Sequence, residues 1–554
     1  MPLSRRRFLQ GVAAIGIGGA SVLPSLGHGR QSPQQTVLRF PARGNLTLLH
    51  TTDTHAQLEP IYYREPDTNI GVGANRDQPP HITGQKFLAH YGIAPGTVEA
   101  YAYTCVDFLP LARQYGRLGG FAHLATLIKH VRAERPGKVL YLDSGDTLQG
   151  SAVSLWRQGE DMVQVLNQLE CDAMTGHWEF TYGQDRLQEL IGMMRFPFLA
   201  QNVHDSTWEE PVFQPYTVKT VNGLAVAIIG QAFPYTPIAN PRRLIPDWSF
   251  GIKEENLQRI IDRLRQQKVD LVILISHNGF DVDKKLAGRV RGIDVILGGH
   301  THDGLPRPER VGDTLIIASG CYGKFLSRLD LEIRNRRITG YAYRLIPVLS
   351  DAIEPDADME RLIANLRRPY QKELEQEVAK SATLLYRRGN VDGPFDELIC
   401  AALQEHYQVD FVLSPGFRWG RTVLPGPVTV EDVYSQTAIS YANTYQGAMS
   451  GQRLKEVLED IADNLFNPDP YRQQGGDMVR SAGLDFTIKV QAPAGKRIRD
   501  LTVAGRPVEW RKRYRFAGWA SMQEQSGPPV YDIVLRYLRQ KGRIAPRRQA
   551  PRLS

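Results

Sequence analysis

The sequence predicts a layered α/β protein with a second α/β domain behind it. Three observations carry that reading. Between Leu46 and Leu345, short apolar runs alternate with polar or glycine-bearing loops and amphipathic helices. A chain of 554 residues exceeds what one hydrophobic core ordinarily serves. A charged, helix-patterned stretch holding Pro355 and Pro369 then separates this region from a further set of helices and strands.

In chain order, strands are expected at Leu46–His50, Val139–Leu142, Leu224–Ile229, Leu271–Ile275, Val295–Leu297 and Thr314–Ala318. Each is a four- to six-residue apolar run, and most lead into a loop of the kind that forms sites at strand ends. Helices are expected between them, at Ala122–Arg132 and Glu254–Gln267. Together these define a domain over residues 44–350. Residues 351–378 read as a connecting helix. Residues 379–540 read as the second domain, with helices at Asp396–Glu405 and Gly451–Ala462 and strands near Leu484–Val490 and Ile498–Val503. Residues 59–116, rich in Pro, Gly, Tyr and Asp, read as a long inserted loop. A loop of that length is a functional wall or a surface decoration, and both readings stay open.

The ends of the chain are read separately. Ser4-Arg5-Arg6-Arg7-Phe8-Leu9, followed by a small apolar run, resembles a twin-arginine export signal over residues 1–30. It implies a periplasmic protein. Arg5, Arg6 and Arg7, with Lys541, Arg543, Arg547, Arg548 and Arg552 in the basic tail 541–554, match the net charge of +8. The body between is near neutral, which argues against a nucleic-acid partner. The tail is expected to be a solvated, disordered end. Beyond the first thirty residues no apolar run is long enough for stable membrane insertion. Cys105, Cys171, Cys321 and Cys400 show no C-x-x-C spacing and read as free thiols.

The chemistry sits in the loops after the strands. Asp53-Thr54-His55 places an acid and an imidazole two apart, on one face of extended backbone. Asp146 follows the next strand, then His177, then His277, then His300 and His302 in Gly298-Gly299-His300-Thr301-His302. One such histidine is ordinarily structural, but five loops converging with carboxylates and imidazoles point to a metal site. The mixture suits Mn, Zn or Fe, and a shared carboxylate can bridge two ions.

The set D-x-H, G-D, H-x-E, H and G-H-x-H resembles the calcineurin-like metallophosphoesterases. Residues beyond 379 resemble the C-terminal substrate domain of 5′-nucleotidases. The resemblance implies an N-terminal metallophosphoesterase-like β-sandwich with flanking helices, plus a C-terminal 5′-nucleotidase-like α/β substrate domain. It assigns Asp53, His55 and His302 to one metal, His177, His277 and His300 to the other, and Asp146 to the bridge. It also places Arg418, in Ser414-Pro415-Gly416-Phe417-Arg418, as a grip on an anionic group, against the plainer reading of a surface ion pair. Tyr441 is read either as a cleft-lining ring or as an ordinary core or surface tyrosine.

The departures from that family pattern carry information. The family's third motif is Asn-His-Glu-Phe-Asp, where this chain has His177-Trp178-Glu179-Phe180-Thr181. The family's catalytic His is thus replaced by Trp178, and the Asp that orients it by Thr181, so both halves of the acid dyad are absent. Phe516-Ala517-Gly518-Trp519 lacks the Gly-Gly-Asp-Gly that binds a nucleoside, and Gly475-Gly476-Asp477 lies too early to supply it.

Three segments look narrower than the superfamily: Asp53-Thr54-His55-Ala56-Gln57-Leu58-Glu59-Pro60, Gly176-His177-Trp178-Glu179-Phe180-Thr181-Tyr182-Gly183 and Ser276-His277-Asn278-Gly279-Phe280-Asp281. They resemble the SoxB family, the dimanganese thiosulfohydrolases of bacterial sulfur oxidation. That resemblance implies two Mn2+ ions. It also implies release of sulfate from a cysteine S-thiosulfonate on the C-terminal arm of SoxY in the SoxYZ carrier, by a hydroxide held on the metals. Trp178 would then pack against the carrier arm, and residues 59–116 would form a channel wall or docking surface. The alternatives are a periplasmic 5′-nucleotidase or cyclic-nucleotide phosphodiesterase, and a metal-bearing binding protein without catalysis.

Overall fold

The computed structural model describes residues 40–546 and 550–554; the segment 1–30, expected to be an export signal, lies outside them. The first domain is a sandwich of two sheets. One runs in the order Arg337–Pro347, Phe325–Arg334, Leu46–Thr51, Val139–Asp143, Ala173–Met174. The other runs Glu309–Val311, Thr314–Ala318, Val295–Gly298, Leu271–Ser276, Leu224–Gln231, Tyr216–Val221.

Side chains alternate across each strand, and both faces are buried. Leu46, Leu48, Leu140, Leu142, Ile273 and Ile275 meet between the sheets. Their neighbours Leu49 and Tyr141 face helices including Phe121–Glu134, while Val272 and Leu274 face Glu254–Gln266. Leu46–Thr51, Val139–Asp143 and Ala173–Met174 run parallel, as do Leu271–Ser276 and Val295–Gly298. All five strands therefore end at one edge, where ligands gather in open α/β sheets.

The connecting helix is shorter than residues 351–378. It spans Ala357–Arg367, Arg368 keeps helical geometry as its cap, and the run ends at Pro369, which has no N–H to continue the ladder. A short turn at Gln371–Leu374 follows, and Glu377–Ser381 is already a strand of the second domain, paired with Gly426–Thr429. That domain also holds a four-stranded sheet ordered Thr444–Ser450, Arg513–Trp519, Phe411–Ser414, Arg480–Ala482, and helices at Pro394–Tyr407 and Gly451–Phe466.

Two expectations need correction. Residues 59–116 are not a structureless loop but carry helices at Gly84–Tyr91, Val98–Tyr103 and Phe108–Tyr115. Helical spacing of Phe108, Leu111, Ala112 and Tyr115 brings these side chains together with Val98, Tyr101 and Leu349 in a small core of their own. The described parts of the basic tail are not a free end either. Arg543–Ile544 pairs with Lys380–Ser381, and Arg552–Leu553 pairs with Thr487–Ile488. Arg543 and Arg552 sit on edge strands, where backbone pairing outweighs the polar composition, while Arg547 and Arg548 lie outside the described residues.

Cys171, Cys321 and Cys400 are buried and Cys105 is partly buried, all as free thiols. No helix among the described residues is long and apolar enough to cross a membrane.

Candidate metal centre

The strand ends deliver two groups of ligand atoms. Asp53, His55, Asp146 and His302 form one, and Asp146, His177, His277 and His300 form the other; within each, the ligand atoms lie within 4.8 Å of one another. Asp146 belongs to both. The structure thus brings together all seven residues that the sequence singles out, in two sets that share one carboxylate.

The local backbone is bent to do this. Asp53, His55, Asp146, His300 and His302 all have positive φ, between 48° and 77°. Left-handed geometry costs an L-residue about 1–2 kcal/mol, and such strain concentrates at functional sites. Gly299 is required for a related reason: a Cβ there would approach His277 Nδ1 to 3.0 Å and Asp53 Oδ2 to 3.1 Å.

The distances are those of a site that needs cations. His55 Nε2 and His302 Nε2 are 3.0 Å apart. His302 Nε2 lies 3.2 Å from Asp53 Oδ1, and His277 Nε2 lies 3.0 Å from Asp146 Oδ2. His177 Nε2 is buried with no hydrogen-bond partner in the structure. Buried polar atoms without partners are uncommon and call for an explanation. Two metal ions satisfy these nitrogens and neutralise the two carboxylates, and the oxygen and imidazole donor set fits them.

The electrostatics agree. Burial opposes the charge on Asp146, but His177 and His277 outweigh it and hold its carboxyl well below the usual range. Burial opposes a proton on His277 too, yet Asp146 and Asp53 push it up to about 10. The carboxylate pair therefore demands positive charge at its centre. Burial keeps His55 near 4, and holds His300 and His302 well below the ordinary imidazole range with help from Arg418 and Arg388 respectively. Neutral imidazoles are the form that binds metal.

Supporting groups fix the ligands. His277 Nδ1 donates to the Ser144 carbonyl at 2.6 Å, which aims Nε2 at the carboxylates. The backbone N–H of Trp178 donates to Asp146 Oδ1 at 2.8 Å, and that of His300 to Asp53 Oδ1 at 3.0 Å. Glu179 accepts from the N–H groups of His177 and Thr147, both at 2.7 Å, and of Leu148 at 3.1 Å. One buried carboxylate so ties the His177 turn to the Asp146 loop, a role that its place in the motif signals but that sequence reasoning leaves unassigned.

Trp178 is not an exposed docking ring. It is 6% exposed, packed edge-on against Phe417 and Trp419 at 5.4 and 5.0 Å and tilted over His177 at 4.6 Å. Tyr441 does not line an open cleft. It is buried, and its hydroxyl donates to the Ala239 carbonyl, which ties the two domains together.

Arg418 reaches the centre from the second domain. It donates to Asp477 Oδ1 at 3.2 Å, to the His300 carbonyl at 3.2 Å and to the Gly476 carbonyl at 2.8 Å. Three of a guanidinium's five N–H groups are thereby engaged. Beside it, and missed in the sequence, is Arg388. It is buried and donates to the Thr301 carbonyl at 2.8 Å, while its Nε and Nη1 have no hydrogen-bond partner in the structure. Its signal in the sequence is only a doubled arginine before Gly389-Asn390.

Gly475-Gly476-Asp477 lies at this centre after all. Asp477 is the shared carboxylate for Arg418, Arg388 and Arg480. Gly475, at φ 81°, lies so close to His300 Nε2 that a Cβ would overlap it. Gly475→Ala is therefore expected to displace His300 and empty the group that contains it, while the His55–His302 group keeps its ion. Elemental analysis should read one metal per chain, and two would contradict this.

The comparisons with known proteins bear on the whole chain. Residues 46–304 match the calcineurin-like phosphoesterase family and residues 377–528 match the 5′-nucleotidase C-terminal domain. The chain is 24% identical over 481 residues to a 5′-nucleotidase of Vibrio vulnificus, covering 76% of this chain and 84% of that protein. It is 25% identical to the snake venom 5′-nucleotidase of Naja atra, covering 77% and 91%. Among solved structures, the sulfate thiohydrolase SoxB of Thermus thermophilus in complex with glycerol superposes with a TM-score of 0.90. It is 38% identical, covering 93% of this chain and 97% of that one. A 5′-nucleotidase precursor, also from Thermus thermophilus, gives 0.73 at 21% identity, covering 92% and 99%, and shares the fold. A two-domain fold, a paired ligand set and this degree of identity together place the chain in the SoxB branch of the calcineurin-like metallophosphoesterase and 5′-nucleotidase family.

Proposed function

We propose that the protein is a thiosulfohydrolase that cleaves the terminal sulfonate from a cysteine S-thiosulfonate and releases sulfate. The observation that carries this is the Trp178–Thr181 pair. Both lie in the 3-10 helix Trp178–Tyr182, where residues three apart fall on one side. That is where the phosphoesterase pattern has its acid and orienting carboxylate. Thr181 instead bonds to Ser440 at 2.8 Å and Trp178 joins the aromatic cluster. General acid catalysis is worth typically ~10²–10⁴-fold to a reaction that must protonate an alkoxide. A persulfide is far less basic and departs without that proton.

Two further features fit a small anionic head group rather than a nucleoside. Phe516, at the place of a base-stacking ring, stacks on buried Phe411 at 5.6 Å. The cavity beside His300, Arg388 and Arg418 holds about 70 Å³, far below the ~300–1,000 Å³ of ordinary small-molecule pockets.

The residues divide the work as follows. When bound, the two metals supply an activated water and Lewis-acid stabilisation of developing charge. The free N–H groups of Arg388 and the uncommitted pair on Arg418 hold the sulfonate oxygens. A bond from water oxygen to the sulfonate sulfur forms, and the bond to the sulfane sulfur breaks. The electron pair stays on the persulfide, and the water protons pass to solvent. Trp178, Phe417 and Trp419 exclude bulk water beside Asp146 and offer the leaving sulfur a polarisable wall. The substrate we infer is carried by the C-terminal arm of SoxY in SoxYZ, the metals are Mn2+, and residues 1–30 export the protein to the periplasm by the twin-arginine route.

The test is to incubate Mn-loaded protein with a carrier bearing a C-terminal cysteine S-thiosulfonate and measure sulfate by ion chromatography. One sulfate per modified cysteine is expected. No sulfate, alongside ready hydrolysis of AMP, would make the protein a nucleotidase.

A further inference from the structure

The cavity beside His300 has three walls. The first domain gives Asn278 and Asp281, the second gives Arg388 and Arg418, and the insertion gives Asn69 and His81. Neither insertion residue belongs to a ligand motif, yet each is held in a defined orientation. The Asn69 amide nitrogen donates to the Pro80 carbonyl at 3.0 Å and to Asp303 Oδ1 at 3.1 Å. Its oxygen therefore faces His81 Nδ1, 3.1 Å away. His81 is gripped on its other side by Asp281, with Nε2 2.9 Å from Oδ2. The backbone of Gly71 packs flat on the imidazole, so that a Cβ there would come within 2.7 Å of its Cγ.

The row continues into the anion site. Asp303 Oδ1 lies 3.8 Å from Arg388 Nη2, the nitrogen that also donates to the Thr301 carbonyl between two metal ligands. Asp477 lies on the other flank of the same guanidinium, 3.7 Å from Nη1. Arg388 thus hangs between two carboxylates. Its unpartnered Nε and Nη1 can point at a ligand only while both carboxylates stay in place. Asp477 is held by Arg418 and Arg480. On the cavity side, Asn69 holds Asp303, whose other side-chain hydrogen-bond partner is Thr301, next to it in the ligand loop.

We propose that Asn69, braced by His81 and Asp281, is a positioning residue of the anion site: it fixes Asp303 so that Arg388 presents its free donors to a tetrahedral oxyanion. This deepens the functional reading above and rests on it for the identity of the physiological anion. The inserted segment is then a working wall of the site and not a decoration. Removing a hydrogen bond to a charged group should weaken oxyanion binding by about tenfold or more.

Titration calorimetry of the Mn-loaded protein with sodium sulfate tests this without any turnover, so it decides the inference whichever substrate the enzyme cleaves. Asn69→Ala is expected to weaken sulfate binding about tenfold with metal content unchanged. Asn69→Asp, which conserves shape and so protects the fold, replaces the donor with a second carboxylate against Asp303 and should weaken it at least as much. Arg388→Gln should weaken it too, and the Asn69→Ala, Arg388→Gln double variant should bind no worse than Arg388→Gln alone, because the two residues act in series. With the cleaved substrate, the Asn69 variants should raise KM and leave kcat nearly unchanged. Wild-type sulfate affinity in both Asn69 variants, or losses that simply add to that of Arg388→Gln, would overturn the proposal.

Discussion

Asp146→Asn is expected to remove both metals at once, lowering the content from two ions per chain to almost none. The reason is topological: Asp146 is the one carboxylate common to both ligand groups. Its Oδ2 lies 3.0 Å from His277 Nε2, 3.3 Å from His177 Nδ1 and 3.8 Å from His55 Nε2. An amide keeps the shape and can still accept the Trp178 N–H, so the loop need not unfold. It removes the charge that holds two cations side by side. Losing metal-based stabilisation of several kcal/mol, at 1.36 kcal/mol per tenfold, implies a fall in kcat of more than ~10³-fold. His302→Ala is the contrasting case, since it belongs to one group only and should leave about one ion. Two ions in the Asp146→Asn protein by elemental analysis would show that the bridge is not where the structure puts it.

The second large effect is a gain. Trp178→His together with Thr181→Asp rebuilds the acid dyad on the 3-10 helix Trp178–Tyr182. Residue 178 already has its backbone N–H on Asp146, so an imidazole there would stand next to the bridging ligand. Hydrolysis of an aryl or alkyl phosphate monoester should rise by roughly 10²-fold over the parent, the low end of general acid catalysis. Sulfate release should fall, because the aromatic wall formed with Phe417 and Trp419 is broken. Initial rates on both substrates read this directly. A double variant that gains no phosphatase activity, with both metals present, would mean that the missing dyad is not what separates the two chemistries.

The parts legible in the sequence are those set by local pattern. Apolar runs such as Leu271–Ile275, buried on both faces, fix their own strands, and loops after strand ends announce ligands by residue type. Hence Asp53, His55, Asp146, His177, His277, His300 and His302 can be named before their distances are known. What stays hidden depends on contacts between distant segments. Arg388 carries no motif, and its importance comes from being buried against Thr301 and Asp303. Asp477 lies in a Gly-Gly-Asp that resembles the wrong motif, and only the packing of Gly475 on His300 shows its use. The helices of residues 59–116 are masked by Pro and Gly around them, although Phe108, Leu111, Ala112 and Tyr115 keep helical spacing. The tail misleads because charge count says nothing about an available sheet edge. Trp178 stands out in the sequence as a departure from the family motif, but its burial is invisible there, since its partners Phe417 and Trp419 come from the other domain.

The most direct test of the account is the ratio of kcat/KM for a cysteine S-thiosulfonate carrier to that for AMP, measured on one Mn-loaded preparation. A missing acid worth ~10²–10⁴-fold to phosphate esters, and of no value to a persulfide leaving group, predicts a ratio of at least ~10² in favour of the thiosulfonate. A ratio near or below one would contradict it.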